Sequence, residues 1–516
     1  MTENQPGKER VAPTAGTPFD PAQEHVLPID TKSPEDLRGI FMRGLAWTAA
    51  MRWTSQLFSW ISTLVVARLL APEDYGLVSM AAVYLGFLGL MSEFGFGSAI
   101  ITLRTITPKQ IEQLNLAAVL LGVACFLVSC AAAIPLGHFF ESPQLPMVIL
   151  VMSLGFVVSS FRSVPNALLQ RDMSFKSLAL IEGVQSLALA GVMVLLAVLG
   201  FGYWTLVIGN LLSAIVLTAL TLAQCRRGFA WPKWEGLKPA ITFGRQVLFV
   251  RLAWYSYTNS DFFVAGRRLG REPLGAYSLA WTLASVPIEK IGVLIFNTAP
   301  AFFSALKHDK AGLRRNLLHL TEGIALLTVP LSVGLALVAS EFVPLALGRK
   351  WMPMIVPLQL LAVYGTVRSV APLISQILHV TGDTRFSMWN SIAAAVVLPI
   401  GFFVGSYWGI DGVAATWLIL HPIVLVMPYR RALRKIDLPF RTYLGAVWPA
   451  VNGALHMSAA VILARLALPA AVPLSLEFAV FVLLGASVYL GTLFLYHRDR
   501  IAGLKRTIQQ MRRGGA

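Results

Sequence analysis

The composition of this 516-residue chain excludes a soluble globular protein. Hydrophobic residues make up 56% of it and charged residues only 13%, whereas soluble domains carry about 25% charged residues. The mean hydropathy is +0.67. A net charge of +16 would suit a nucleic-acid-binding protein, but the placement of the basic residues follows membrane orientation instead. We therefore predict an integral membrane protein and no nucleic-acid partner.

In chain order, residues 1–43 are polar and contain several prolines, and we predict that they form a disordered cytosolic tail. Apolar segments with the roughly 20 residues needed to cross a bilayer follow. They predict an all-α protein with about fourteen transmembrane helices. The expected spans are 45–67, 77–101, 113–136, 146–168, 176–199, 202–224, 241–265, 275–303, 317–340, 354–380, 387–405, 412–429, 443–464 and 476–496. Residues 497–516 form a basic tail, predicted to be cytosolic.

The distribution of the 42 Lys and Arg residues predicts the orientation. Seven lie in the odd-numbered loops, five lie inside spans, and the rest lie in the two tails and the even-numbered loops. Cytosolic loops carry the excess of positive charge. We therefore predict a multi-pass protein of the bacterial inner membrane with both termini in the cytoplasm. The seven residues on the other side are Arg68, Arg267, Arg268, Arg271, Arg349, Lys350 and Arg465.

An internal repeat divides the chain, because residues 67–81 match residues 266–280 at a constant offset of 199. The matched pairs are Arg68 and Arg267, Glu73 and Glu272, Gly76 and Gly275, Ser79 and Ser278, and Ala81 and Ala280. Each repeat holds an even number of spans, so both have the same orientation about a pseudo-twofold axis along the membrane normal. We predict six-helix bundles at 44–225 and 241–434, a cytosolic linker at 226–240, and two extra helices at 435–496.

Basic residues inside the spans are the strongest candidates for a site, since charge within the membrane is costly and therefore usually functional. Arg52 matches Arg251 at offset 199, and Arg162 matches Arg368 at offset 206. We expect these four to line a central cationic cavity near the cytosolic leaflet, where guanidinium groups would bind a diphosphate. Alternatively, they reach the headgroups or pair with carboxylates in helix packing.

Acidic and amide side chains in the spans complete the candidate site. Glu93, Glu182, Asp261 and Glu289 either neutralise the arginines or bind H⁺ or Na⁺ as a coupling ion. Asp261 is the best candidate for coupling or gating because it follows Asn259 and Ser260, although a hydrogen-bonded helix contact is an equal alternative. Further candidate cavity residues are Lys290, Gln170 and Gln376.

No motif for covalent chemistry is present. The chain has no G-x-x-x-x-G-K-[ST] phosphate loop, no D-x-D pair and no H-E-x-x-H motif. We therefore expect a protein that is not an enzyme, with no catalytic residues, no metal and no cofactor beyond a coupling ion.

The motifs Arg68–Ala81 and Glu93–Ile101, with Asp261–Gly270 and Leu274–Ala280 in the second repeat, resemble the polysaccharide transporter family of the MOP flippase superfamily. The similarity is to the Wzx-type branch that serves lipopolysaccharides and exopolysaccharides such as colanic acid and succinoglycan. It implies two six-helix bundles around a cationic cavity plus two extra helices. The implied substrate is an undecaprenyl-diphosphate-linked oligosaccharide, and the implied partners are the bilayer, a polysaccharide polymerase and the export machinery.

Three other functions stay open at this point. Two belong to the same superfamily, a lipid II flippase and a cation-coupled multidrug exporter. The third is a membrane-embedded polymerase or ligase acting on the same lipid-linked glycan. Such enzymes usually need a large periplasmic loop, and the longest odd-numbered loop has only about a dozen residues by the span assignment.

Overall fold

The computed structural model describes residues 58–94, 96–102, 106–232, 251–296, 306–469 and 472–498, with single positions between them. The predicted tail at 1–43 and nearly all of the basic tail at 497–516 lie outside the described residues. The described part is all-α and contains no strand.

The helices follow one another with short connections. Their bounds are α1 Phe58–Leu69, α2 Pro72–Glu93, α3 Phe96–Thr102, α4 Pro108–Phe139, α5 Leu145–Arg171, α6 Phe175–Val198, α7 Trp204–Gln224, α8 Ser260–Leu269, α9 Arg271–Phe296, α10 Lys310–Ala346, α11 Ile355–Val380, α12 Thr384–Gly405, α13 Gly409–Lys435, α14 Phe440–Ala467 and α15 Leu474–Tyr496. Short 3₁₀ helices, Arg349–Met354 and Ser406–Trp408, precede α11 and α13. Residues 251–258, before α8, are also helical.

Ten stretches of the described residues are long and apolar enough to cross a membrane. One of them, Arg385–Lys435, contains both α12 and α13. The prediction of an all-α, multi-pass membrane protein is therefore confirmed. The count of fourteen spans, the arrangement as two six-helix bundles and the domain boundaries stay predictions.

The predicted second span, 77–101, differs most from the observed helices. α2 begins earlier, at Pro72, because Glu73 and Asp74 in its first turn favour a helix N-terminus and the Asp74 carboxylate accepts the Ala71 N–H at 2.9 Å. It ends at Glu93, where Phe94 has a φ of 37°. The expected span is thus divided between α2 and α3, and its break exposes Glu93.

The repeat is visible where α2 crosses α9. Gly76 lies against the carbonyl oxygen of Arg271, and Gly275 lies against the carbonyl oxygen of Pro72, so closely that a Cβ on either glycine would collide with the opposite backbone. Both glycines and both carbonyls are related by the offset of 199. The crossing therefore has the same contact twice, once from each repeat, at the end of the molecule predicted to face the periplasm.

The two C-terminal helices pack against α10. The Arg465 side chain of α14 lies 2.9 Å from the Glu341 carboxylate, and the Tyr489 hydroxyl of α15 donates to the Leu326 carbonyl at 2.9 Å. The extra helices are therefore attached to the second half of the chain.

Candidate substrate and coupling sites

An exposed ion pair joins the end of α2 to the helical residues 251–258. The guanidinium of Arg251 lies 3.2 Å from the Glu93 carboxylate, and their side chains are 45% and 67% exposed. Arg162, half-buried on α5, is under the electrostatic influence of Glu93 and Glu182. One predicted site arginine therefore pairs with an accessible carboxylate, and the charge of that carboxylate also acts on a second.

Arg368, the repeat counterpart of Arg162, lies in a second group. From α11 its guanidinium donates to the Ser285 hydroxyl at 2.8 Å, and the guanidinium carbon lies 4.7 Å from the centre of the Trp281 ring. A cation over an indole face is stabilised by the ring quadrupole. Within the described ranges no carboxylate forms an ion pair with Arg368, so its charge is held by a hydroxyl and a ring.

The remaining predicted residues are not brought together by contacts in the described part. Glu289 and Gln170 are exposed and Gln376 is half-buried. Arg52 and the side chain of Lys290 lie outside the described residues. A single cavity lined by all four arginines accordingly stays a prediction.

Asp261 is fully buried at the start of α8. Its Oδ2 atom accepts the Tyr277 hydroxyl at 2.6 Å and the Trp417 indole N–H at 2.8 Å, while Oδ1 has no hydrogen-bond partner in the described structure. No cation pairs with it among the described residues. A carboxylate is costly to bury in this way, so it is a candidate for a group whose charge changes during function.

An aromatic cluster surrounds this carboxylate and reaches Arg368. Trp417 stacks on Tyr364 at 5.3 Å between ring centres and packs against Trp281 at 5.4 Å. The Tyr364 hydroxyl lies 3.0 Å from Nδ1 of His421. Asp261 is therefore linked through Trp417 and Trp281 to the guanidinium of Arg368.

These aromatic residues were not among the predicted site residues, although the sequence carries a signal for them. Each helix places its members four residues apart, and residues at that spacing lie on one face of a helix. The sets are Tyr277, Trp281 and Ser285 on α9, Tyr364 and Arg368 on α11, and Trp417 and His421 on α13. Within the described ranges, no group of three or more His, Cys, Asp or Glu side chains is placed to share a metal ion.

Comparison with known proteins identifies the family. The sequence model described as "Polysaccharide biosynthesis protein" matches residues 65–356, more than half of the chain. The chain belongs to this family. It is 26% identical over 422 residues to the lipopolysaccharide biosynthesis protein WzxC of Escherichia coli (strain K12), covering 80% of this chain and 85% of that protein.

A second relative and a solved structure are also similar to this chain. The succinoglycan biosynthesis transport protein ExoT of Rhizobium meliloti (strain 1021) is 24% identical over 399 residues, which are 77% of this chain and 80% of ExoT. The inward closed conformation of the lipid II flippase MurJ has a TM-score of 0.69 at 14% identity, covering 88% of this chain and all of that chain. That similarity shows the fold.

Proposed function

We propose that this family member is a flippase that moves undecaprenyl-diphosphate-linked oligosaccharide units across the bacterial inner membrane for exopolysaccharide or lipopolysaccharide synthesis. Family membership and the names of WzxC and ExoT support the substrate class. The structural observation that carries the proposal is the exposed Arg251–Glu93 pair with Arg162 near it. An accessible guanidinium group inside an otherwise apolar fold suits an anionic lipid headgroup.

Arg251, Arg162 and Arg368, with Arg52 as predicted from its repeat position, bind the diphosphate in this proposal. Glu93 occupies the place of the anion when substrate is absent, because a carboxylate and a phosphate oxygen accept the same guanidinium N–H groups. Incoming diphosphate displaces Glu93 from Arg251. The exposure of this pair keeps the cost of displacement low, since exposed ion pairs contribute about 0–1 kcal/mol.

Translocation then follows alternating access. The Gly76 and Gly275 crossing closes the predicted periplasmic end, while Arg251 and Glu93 are accessible at the other end of α2. Separating the crossing would open the path to the periplasm. We propose no covalent step, and the glycan's partners downstream would be a polymerase and the export machinery.

For coupling we propose a proton at Asp261. Oδ2 already accepts two hydrogen bonds, which leaves Oδ1 as the one unsatisfied carboxylate oxygen. One proton is enough to satisfy that atom, whereas a bound metal cation needs several oxygen ligands. Through Trp417 and Trp281, a change at Asp261 would reach the ring that holds Arg368.

The test measures polymer export and the lipid-linked oligosaccharide that accumulates on the inner leaflet. We expect the double variant Arg251→Gln, Arg368→Gln to reduce polymer export at least about tenfold while its level in the membrane stays normal. A tenfold reduction corresponds to the loss of roughly 1.4 kcal/mol of binding free energy. Arg385→Gln, an exposed arginine of α12 that makes no bond in the described structure, is the matched control.

Three results would change the proposal. Normal export from the double variant would overturn the arginine site. A deletion strain that accumulates no lipid-linked oligosaccharide would overturn the flippase, with accumulation of lipid II pointing to that substrate instead. Polymer made from the oligosaccharide by the purified protein would establish an enzyme.

A further inference from the structure

An apolar groove of about 820 Å³ lies between α10, α11, α13 and α14. Its walls are aliphatic and aromatic, including Val329 of α10, Val367 of α11, Leu425 of α13 and Val447 of α14. Of the proposed substrate arginines that the structure describes, Arg162, Arg251 and Arg368, none lines it. The groove is therefore a separate feature of the second half of the chain.

A single guanidinium group lies at one end of the groove. Arg430 is an exposed lining residue, and α13 ends five residues later, at Lys435. At 1.5 Å per residue, Arg430 lies about 7.5 Å inside the end of its helix, a depth from which its side chain reaches the headgroup level. By the positive-inside prediction this end faces the cytosol.

Among the described residues, Arg430 also has no carboxylate as an ion-pair partner. Its neighbours Arg431 and Lys435 both pair with Asp383, and Lys310 of α10 pairs with Asp437. In the described ranges Arg430 makes no ion pair or hydrogen bond. The groove thus combines apolar walls, which suit a hydrocarbon chain, with the guanidinium group of Arg430 at the depth of lipid phosphates.

We propose that this groove binds one acyl chain of an anionic membrane phospholipid whose phosphate is bound by Arg430. The diphosphate of the transported lipid would be held by residues of α5, α11 and 251–258, and no cationic member of that set borders the groove. A substrate bound there cannot also place its phosphates at Arg430. A resident phospholipid fits both the wall and the charge, and it would fill the space between α14 and the helices it packs on.

The experiment compares lipids retained by the full-length protein. Purified protein in nanodiscs with equal amounts of phosphatidylglycerol and phosphatidylcholine is transferred to detergent, and native mass spectrometry counts the lipids that remain. We expect the wild type to favour phosphatidylglycerol by about tenfold, because the negative charge of its phosphate is not offset by a choline cation and is therefore attracted more strongly by Arg430. Arg430→Gln should lose this preference, and Arg385→Gln should keep it.

A second variant blocks the groove. Val367→Trp places a large side chain in the groove and should reduce retention of both lipids. If that variant fails to fold, Arg430→Gln still tests the proposal, because replacing an exposed side chain should leave the fold intact. Equal phosphatidylglycerol retention by the wild type and Arg430→Gln would overturn the proposal. Undecaprenyl phosphate that displaces phosphatidylglycerol from the wild type would also overturn it, by assigning the groove to the substrate tail.

Discussion

The two ends of α2 are held in different ways. At Pro72 the helix meets α9 backbone to backbone, and the contact is repeated by Gly76 and Gly275. Further contacts join the halves there, since the Trp351 indole donates to the Ala67 carbonyl at 2.8 Å. At Glu93 the helix makes an exposed ion pair with Arg251, the carbonyl of the next residue, Phe94, lies close against Gly244, and the Tyr255 hydroxyl donates to the Val83 carbonyl at 3.0 Å. The first end is held by a doubled backbone contact, and the second by one close backbone contact together with polar bonds, of which the ion pair is exposed.

This difference indicates the direction of entry. Close-packed backbone offers no side chain that can swing aside, so opening the Pro72 end requires whole helices to move. At the Glu93 end, the ion pair between Arg251 and Glu93 can separate by rotation of two side chains, while the backbone contact of Phe94 with Gly244 stays in place. An anionic headgroup can therefore replace Glu93 at the exposed Arg251 before any helix moves, and we infer that substrate binds from the predicted cytosolic side while the predicted periplasmic end stays closed.

The largest effect is expected from Gly76→Val, which breaks the closed end. The new side chain collides with the Arg271 carbonyl, and overpacking of this kind costs about 1–3 kcal/mol. Export should cease and the thermal unfolding temperature should fall. In a background without the three native cysteines, Leu274→Cys, buried beside the crossing, should become reactive to an impermeant maleimide.

Gly155→Val is the control for that experiment, because a Cβ at Gly155 meets no atom within 4 Å. It should leave export and labelling unchanged. Continued export by Gly76→Val with Leu274→Cys unreactive would show that the crossing is not a gate.

The next effect, measured on stability and not as loss of export, is expected at Asp261, between the two ends. Asp261→Leu leaves the Tyr277 hydroxyl and the Trp417 N–H without an acceptor, and each unpaired buried group costs about 1–3 kcal/mol. Asp261→Asn keeps an acceptor oxygen and should unfold at a higher temperature than Asp261→Leu. Equal unfolding temperatures for the two variants would contradict the hydrogen bonding described above.

A matched pair of variants sharpens the comparison of the ends. Glu93→Gln and Glu141→Gln each remove an exposed ion pair, the second being with Arg267 at 2.7 Å on the predicted periplasmic side. Both should change the free energy of unfolding by less than about 1 kcal/mol. Only Glu93→Gln should strengthen the binding of undecaprenyl diphosphate to purified protein, by several-fold. Equal affinities in the two variants would exclude Glu93 as a stand-in for the anion.

The smallest effect concerns a loop outside the spans. The Arg431 guanidinium, hydrogen-bonded to Asp383, lowers the pKa of that carboxyl. The stabilisation is therefore present above the ordinary Asp pKa of about 3.9 and is lost as the pH falls through the lowered folded value. Asp383→Asn should unfold at a slightly lower temperature than the wild type at pH 7, and this gap should close at acidic pH. Asp172→Asn, at an exposed position, should unfold at the same temperature as the wild type at both pH values.

The sequence was sufficient to predict the helices and the repeat, because both depend on local composition and on constant spacing. The expected span 476–496, for example, is α15, Leu474–Tyr496. It left open whether the intramembrane acids neutralise the arginines or bind a coupling ion. The partner of Arg251 could not be predicted, because Glu93 lies 158 residues away. The partners of Asp261 were missed for the same reason, since helical spacing tells which residues share a face but not which faces meet.

The glycine crossing also bears on the origin of the chain. A contact in which each half uses the same residue against the same atom of the other half is an isologous interface, the kind formed by identical subunits about a twofold axis. A single ancestral repeat would have closed as a homodimer through that one glycine. After fusion of two such copies, the rest of each would be free to diverge, and the two halves do differ: Arg162 is under the electrostatic influence of Glu93 and Glu182, whereas its counterpart Arg368 lies over a tryptophan.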